Sequence, residues 1–420
     1  MSASEPAIAI GIDLGTSGAR AAALSASGEV VAFAAAPFPN PDETKEPAIW
    51  WERVGQCLSE LQRQTSLADV KGVAVDGTSG TLVAIDDQGR PLDVLMYKEP
   101  CPDRAIVDNI AAAAPVDSPA RGANAGLARA IYLARKYGGT RLVHQADWIA
   151  MRLGLTEPVS DENNALKTGY DLDAECWPLW ITQAGLDIER LPQVRRAGTP
   201  IGVTGEAGKP FGLPETCRIH AGTTDGCASF LATGANAIGD GVTALGSTLV
   251  LKLASARPIN AAEYGIYAHR VLDFWLIGGA SNAGGAVIRA LIGDDRLQEL
   301  TLRLDPNRPT GLDYYPLLRP GERFPVNDPA YAPRLSPRPE DDGVFFQAIL
   351  EGMTAIEKRG YGLLESLGGP ALRSVRTVGG GARNPVWTQM RQKALGVDFA
   401  APRSVEAAVG AASLVLARVC

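Results

Sequence analysis

Paired cysteines are missing from this chain. The six it has, Cys57, Cys101, Cys176, Cys217, Cys227 and Cys420, are scattered without a Cys-x-x-Cys spacing. That pattern argues against a disulfide framework or a thiolate metal cluster, and it suits a reducing cytoplasm. Histidine is scarcer still, with only His144, His220 and His269, so chemistry that leans on imidazole has few candidates, and all three read as structural. No apolar run approaches the length of a membrane span, and the N-terminus MSASEPAI has neither a basic n-region nor a long apolar stretch, so no targeting segment and no membrane partner are expected. Excess positive charge is also absent. A net charge of −7 argues against nucleic acid as a partner, because phosphate backbones demand basic surface. It says less about a small anionic ligand such as a nucleotide, which needs only local dipoles.

What is present is a globular composition, 46% hydrophobic and 21% charged over 420 residues, too long for one ordinary core. Residues 7–36 read as strand, turn, strand, turn, strand. A proline-rich segment, PFPNPDETKEP, precedes IWWERVGQCLSELQRQTS, where Trp51, Val54, Leu58 and Leu61 recur at helical spacing. KGVAVDGTSGTLVAI is a second strand carrying Asp76, LDVLMY follows the DDQG turn, and helices are expected near 125–137 and 145–154. After residue 235 the grammar repeats: VTALGSTLVLKLASA, strand pairs at YGIYAHR and FWLIGGAS, a long helix at 344–368, a strand at RTVGGG and a helix from Asn384. One supersecondary unit per half argues for two α/β domains. The final EAAVGAASLVLARVC reads as an apolar helix that needs a surface to dock on. The expected boundaries are 1–232, 233–405 and 406–420.

GIDLGTSGAR (11–20) is the most informative stretch. An apolar strand ending on Asp13 and turning through Gly15, Thr16, Ser17 and Gly18 can be a plain hairpin whose glycines supply positive φ. It can also be a phosphate cradle, in which successive backbone N–H groups form an anion-binding concavity. Asp13 would then hold Mg²⁺, since a carboxylate beside phosphate otherwise repels it. Similar turns recur at 77–80 and 246–248, with a triple glycine at 379–381, and the recurrence favours phosphate. Standard nucleotide fingerprints fail: GVTGEAGKP has the wrong spacing and Pro210 in place of Ser/Thr, and GDGVTA (239–244) reads as a turn. In GTTDG (222–226), Asp225 is either a helix N-cap or a general base that takes a hydroxyl proton in phosphoryl transfer. No G-x-S-x-G elbow competes with it.

With these residues in view, the chain resembles the FGGY carbohydrate kinases, within the sugar kinase, Hsp70 and actin superfamily. IGIDLGTSGARA is similar to that family's first phosphate motif, VTALGSTLVL to the second, VGGGARNPVWTQMRQKALGV to its adenosine motif and AGTTDG to the segment with its catalytic aspartate. QADW and SDENNALKTGYDL extend the likeness across nearly the whole chain. Within the family it is most similar to the short cyanobacterial and plant D-ribulokinase or xylulose-kinase-like proteins, through DGTSGT, GLDYYPL and GERFP.

The resemblance implies two actin-like, RNase-H-like α/β domains with an ATP and sugar cleft between them, and it allows the C-terminal helix to return to the first domain. It implies Asp225 as the base and Asp13 at Mg²⁺ and the transferred phosphoryl group. Thr16 and Ser17 fall at the γ-phosphate, Gly246, Ser247 and Thr248 at phosphates, and Gly379, Gly380, Gly381 and Asn384 at the nucleotide. Asp13, Ser79 and Asp225 fall at the sugar, although Ser79 can equally serve its own turn. Where larger members carry an aspartate followed by an arginine, MYKEPCPDR carries Lys98 and Glu99. Lys167 reads as a surface lysine, and the tryptophans Trp50, Trp148 and Trp275 read as core or cleft-wall residues.

The expected activity is ATP- and Mg²⁺-dependent phosphorylation of a ketopentose, D-ribulose to its 5-phosphate before D-xylulose. The alternatives are a switching ATPase and a non-catalytic sugar sensor. A cytoplasmic monomer or small homo-oligomer is expected, without the appended oligomerisation elements of longer relatives.

Overall fold

A computed structural model describes residues 5–40 and 44–419. Residues 1–4 of the N-terminus, residues 41–43 of the proline-rich segment and Cys420 lie outside the described residues. The chain divides into two compact units. Unit 1 comprises residues 1–232, 270–273 and 406–420, and unit 2 comprises 233–269 and 274–405.

Unit 1 opens with β1 (Ala9–Leu14), β2 (Gly18–Leu24) and β3 (Val30–Pro37), then α1 (Pro47–Gln64) and β4 (Gly72–Gly77). A smaller layer follows: β5 (Leu82–Ile85), β6 (Pro91–Leu95), α2 (Arg104–Ala113), α3 (Gly126–Lys136), β7 (Arg141–His144) and α4 (Gln145–Arg152). Next come β8 (Val159–Asp161), α5 (Glu162–Leu166), α6 (Trp180–Ala184), β9 (Gln193–Arg195), β10 (Pro200–Val203), β11 (Arg218–Thr224) and α7 (Asp225–Ala232). The main sheet runs β10-β11-β4-β1-β2-β3, with β1, β4 and β11 parallel at its centre. Strands covered on both faces need apolar residues at every position, and all six residues of β1 and of β4 are buried.

One face is covered by α1, which begins on Pro47, a residue suited to the first helical turn. It buries Trp50, Val54, Cys57, Leu58 and Leu61, each large side chain contributing about 1.5–3 kcal/mol. The buried stripe starts at Trp50 rather than at Trp51, whose ring is half-buried edge-on against Phe211.

Unit 2 repeats the plan. It contains β12 (Asp240–Leu245) and β13 (Leu249–Ser255); a short strand, β14 (His269–Val271), carries the chain across the division; and β15 (Phe274–Ser281) follows. Then come α8 (Gly285–Leu291), α9 (Leu297–Thr301), α10 (Asp342–Ser366), β16 (Ser374–Val378), α11 (Pro385–Leu395) and β17 (Asp398–Ala400). The order β15-β13-β12-β16-β17 matches β3-β2-β1-β4-β11 of unit 1, with the same antiparallel and parallel neighbours.

Two sequence expectations change here. GDGVTA is mostly strand, because Asp240 already pairs with Ser374 on β16. YGIYAHR is a strand only at its end, since a turn closes on Gly265 at φ 69° and extended pairing starts at His269.

The last helix, α12 (Ala407–Val419), belongs to unit 1 and covers the sheet face opposite α1. Ala408, Val409, Ala412 and Val415 pack with Ala9, Ala22, Ala74 and Ala232. Small residues permit this approach: a Cβ on Gly11 would lie 1.9 Å from the Ala408 carbonyl oxygen, and one on Gly410 would lie 1.8 Å from that of Ala228. No helix among the described residues is long and apolar enough to cross a membrane.

Candidate functional site

Parallel strands present ligand groups at their carboxyl ends, and unit 1 gathers its acids there. Asp13 on β1 stands opposite Asp76 on β4, and Asp76 stands opposite Thr223 on β11. Asp225 opens α7 immediately after β11; its Oδ1 accepts the Gly226 N–H at 2.7 Å. Asp13 is 6% exposed and Asp76 fully buried.

Burial raises Asp13 above the ordinary carboxylate range, and Asp225 adds to the rise. Asp76 and the Arg20 guanidinium pull it back. Asp76 is pushed well above its usual value, first by burial and then by the Asp13 charge. The two carboxyls interact across the strand pair, yet no hydrogen bond of ordinary length reaches either oxygen of Asp76. Two neighbouring carboxyls in one enclosed place disfavour being charged together, so each resists ionisation more than it would in water.

Arg20 was not singled out in the sequence, and its signal was position. It follows the turn on β2, in register with Asp13. Its Nη1 lies 3.3 Å from Asp13 Oδ2, its Nη2 donates to Ser17 Oγ at 3.2 Å, and its Nε lies 3.5 Å from Glu406. The turn itself is tight, closed by Gly15 N–H to Gly18 O at 3.1 Å, and it leaves Thr16 and Ser17 exposed. An exposed turn of small residues beside a cation is suited to phosphate oxygens.

The 77–80 turn is held from behind. Gln145 Oε1 accepts from Thr78 N–H at 3.0 Å and from Thr78 Oγ at 2.8 Å, while Thr78 and Thr81 hydroxyls meet at 2.6 Å. This leaves Ser79 Oγ and Gln145 Nε2 buried without partners. The side-chain hydrogen bonds that hold the turn are therefore those of Thr78 and Thr81, and Ser79 Oγ makes none. Of the loop with Lys98 and Glu99, Glu99 is committed to Lys45 at 2.7 Å and to the Met96 N–H at 2.9 Å, and Lys98 is exposed.

Unit 2 brings its own turns together. Gly246 O and Ser247 O accept the N–H groups of Gly285 and Ala286 at the start of α8, at 2.8 and 3.1 Å. Gly379, at φ 87°, lies so close that a Cβ would sit 2.7 Å from Leu245 O and 3.1 Å from Gly246 N. The triple glycine thus adjoins the 246–248 turn because it carries no side chains. Gly381 likewise abuts Leu245 and the Trp387 ring, and nothing approaches Gly380. The Asn384 amide caps α11, accepting Trp387 N–H at 2.9 Å and donating to Thr301 Oγ at 3.1 Å, so its side chain is engaged locally.

Models of the FGGY family of carbohydrate kinases match both halves, the N-terminal domain over residues 8–111 and the C-terminal domain over 239–418. The chain belongs to this family. It is a sugar kinase. The xylulose kinase of Escherichia coli (strain K12) is 25% identical over 462 residues, covering 96% of this chain and 89% of that protein. Two solved structures share the fold. A xyloylose kinase from Brucella ovis superposes with a TM-score of 0.86 at 23% identity, over 98% of this chain and 91% of the other. The xylulose kinase from Rhodospirillum rubrum gives 0.82 at 24%, over 97% and 88%. The two α/β units are those of FGGY kinases.

Among the described residues no group of three or more His, Cys, Asp or Glu is arranged to hold a metal ion. Mg²⁺ commonly binds through one or two carboxylates plus substrate phosphates. The Asp13 carboxyl, beside a tight turn of small exposed residues, fits that donor set.

Proposed function

We propose that the chain transfers the γ-phosphoryl group of ATP to the terminal hydroxyl of a ketopentose, D-ribulose in the first instance, giving the 5-phosphate. The observation that carries this reading is Asp225, placed at the end of β11 where its charge acts on both Asp13 and Asp76. All three histidines are buried, so none competes as a base.

Asp225 accepts the proton of the sugar hydroxyl as its oxygen attacks phosphorus in line. Asp13 sits beside the transferred group and, with Ser79 and Asp225, the sugar. Thr16, Ser17 and Arg20 meet the γ-phosphate, and Gly246, Ser247 and Thr248 meet the other phosphates. Gly379, Gly380 and Gly381 let the adenosine lie against the main chain, and Asn384 holds the helix that follows. A Mg²⁺ ion bound with the nucleotide, with Asp13 as its protein ligand, would neutralise phosphate charge. Every other contribution is positioning and electrostatics supplied by the chain.

D-xylulose is the second reading, favoured by the likeness to the E. coli xylulose kinase over 96% of the chain. The test is ADP release with Mg²⁺-ATP and D-ribulose, D-xylulose, L-ribulose, glycerol or no sugar, with Asp225→Ala as control. Stimulation by one ketopentose, lost by about 10²-fold or more in the variant, supports the reading and names the epimer. ADP release indifferent to sugar would point to a switching ATPase instead.

A further inference from the structure

Arg129, in α3, is a fully buried arginine, yet its guanidinium is spent on main-chain carbonyls. Nε donates to Glu99 O at 2.8 Å, Nη1 to Gly80 O at 3.1 Å and to Asn124 O at 3.0 Å, and Nη2 to Tyr97 O. Those four acceptors lie on three separate segments: the turn after β4, the loop after β6 and the loop before α3. Gly80 belongs to the arrangement. It sits at φ 89°, and a Cβ there would come within 3.2 Å of Arg129 Nη1. Two further bonds run between the same segments, Tyr97 N–H to Thr81 Oγ at 3.1 Å and Cys101 N–H to Ala123 O at 2.8 Å.

We propose that Arg129 is the positioning residue of the sugar side, joining these three segments into one wall that fixes Ser79 Oγ and the backbone around Lys98. The inference rests on the reading of the 77–80 turn as a sugar-contacting element. Gly80 directly follows Ser79, whose Oγ is buried without a partner, and Lys98 lies between the two carbonyls, of Tyr97 and Glu99, that the guanidinium holds. The planar fork of five donors is what the task requires. Lysine keeps the charge but offers three donors from one point, so it cannot serve four carbonyls in fixed directions. Discrimination between ketopentoses that differ at one hydroxyl depends on such rigidity, because a hydroxyl read by a mobile loop is read weakly.

The experiment is steady-state kinetics and amide hydrogen exchange on Arg129→Lys and Gly80→Ala. The second variant crowds the same nitrogen without touching the charge and serves if the first does not fold. The expected result is a sugar KM raised about tenfold, with the ATP KM within about twofold, and faster exchange confined to residues 78–81, 97–99 and 122–124. A purely structural role would lower the melting temperature and move both KM values together, and that outcome overturns the inference. So does a sugar KM within twofold of wild type. If the wild type itself releases no ADP with any sugar, the sugar reading fails and takes this one with it; a working wild type with an indifferent Arg129→Lys overturns only the present inference.

Discussion

Asp13 and Asp76 are chemically the same residue on neighbouring strands, and burial makes them different. Burial raises both above the ordinary carboxylate range, the completely enclosed Asp76 further, while the Arg20 guanidinium beside Asp13 pulls that one back. Arg20 holds a cation beside the 15–18 turn, which the proposal gives to the γ-phosphate, and Arg20→Gln is expected to lower sugar-dependent turnover by about 10²–10³-fold, the usual cost of losing one transition-state donor. The sugar KM should change far less. Steady-state kinetics checks both, and a variant with unchanged kcat would remove Arg20 from the site.

His220 makes a separate case. Burial pushes its imidazole below the usual value; Nδ1 faces Gly198 O at 2.8 Å, and Nε2, unpartnered, lies beside Gly72. The folded-state pKa is below the unfolded one, so the unfolded chain binds more protons between them. His220 thus costs no stability above pH ~6.5, and stability is lost as pH falls from there toward the folded value. Thermal melts at pH 7.5 and 5.5 should show a smaller acid loss in His220→Gln than in wild type; equal losses would refute the assignment.

At the scale of elements, α12 and the α10–α11 pair decide most. The approach of α12 to β1 leaves no room at Gly11, and Gly11→Val is expected to destabilise unit 1 by about 3 kcal/mol or more through overpacking. Urea unfolding measures this, and a loss below 1 kcal/mol would mean that the helix shifts freely. In unit 2, Arg391 and Glu357 form a buried two-bond ion pair at 2.6 and 2.7 Å. The pair extends to Thr377 on β16 and Thr243 on β12, the strands that lead into the glycine turns. Glu357→Gln leaves a buried charge, at a cost of about 3–5 kcal/mol. That corresponds to a drop of at least about 6 °C for a unit of this size, readable by calorimetry; a shift under 2 °C would show that the pair is dispensable.

For the whole molecule, the proposal makes Mg²⁺ and nucleotide one ligand. Mg²⁺-ATP at 100 times its dissociation constant should stabilise the fold by about 2.7 kcal/mol, and EDTA should remove most of that gain; an equal shift with and without EDTA would sink the role given to Asp13. The sequence alone was sufficient for the architecture, because the turn glycines, the apolar strands and the repeated grammar are local features, and each half carried them in the same order. It also drew attention to Asp13, Asp225 and the glycine turns, because an aspartate at a strand end and a run of turn residues are local features; the roles proposed for them rest on the family resemblance. What only the tertiary structure decided is long-range. How far each aspartate of the pair is pushed above its usual range depends on burial and on a neighbour 63 positions away. That Asn384 is engaged as a cap, and that Arg129 collects carbonyls from three loops, depends on contacts between segments far apart in the chain. Residue type and spacing do not encode those contacts; packing does.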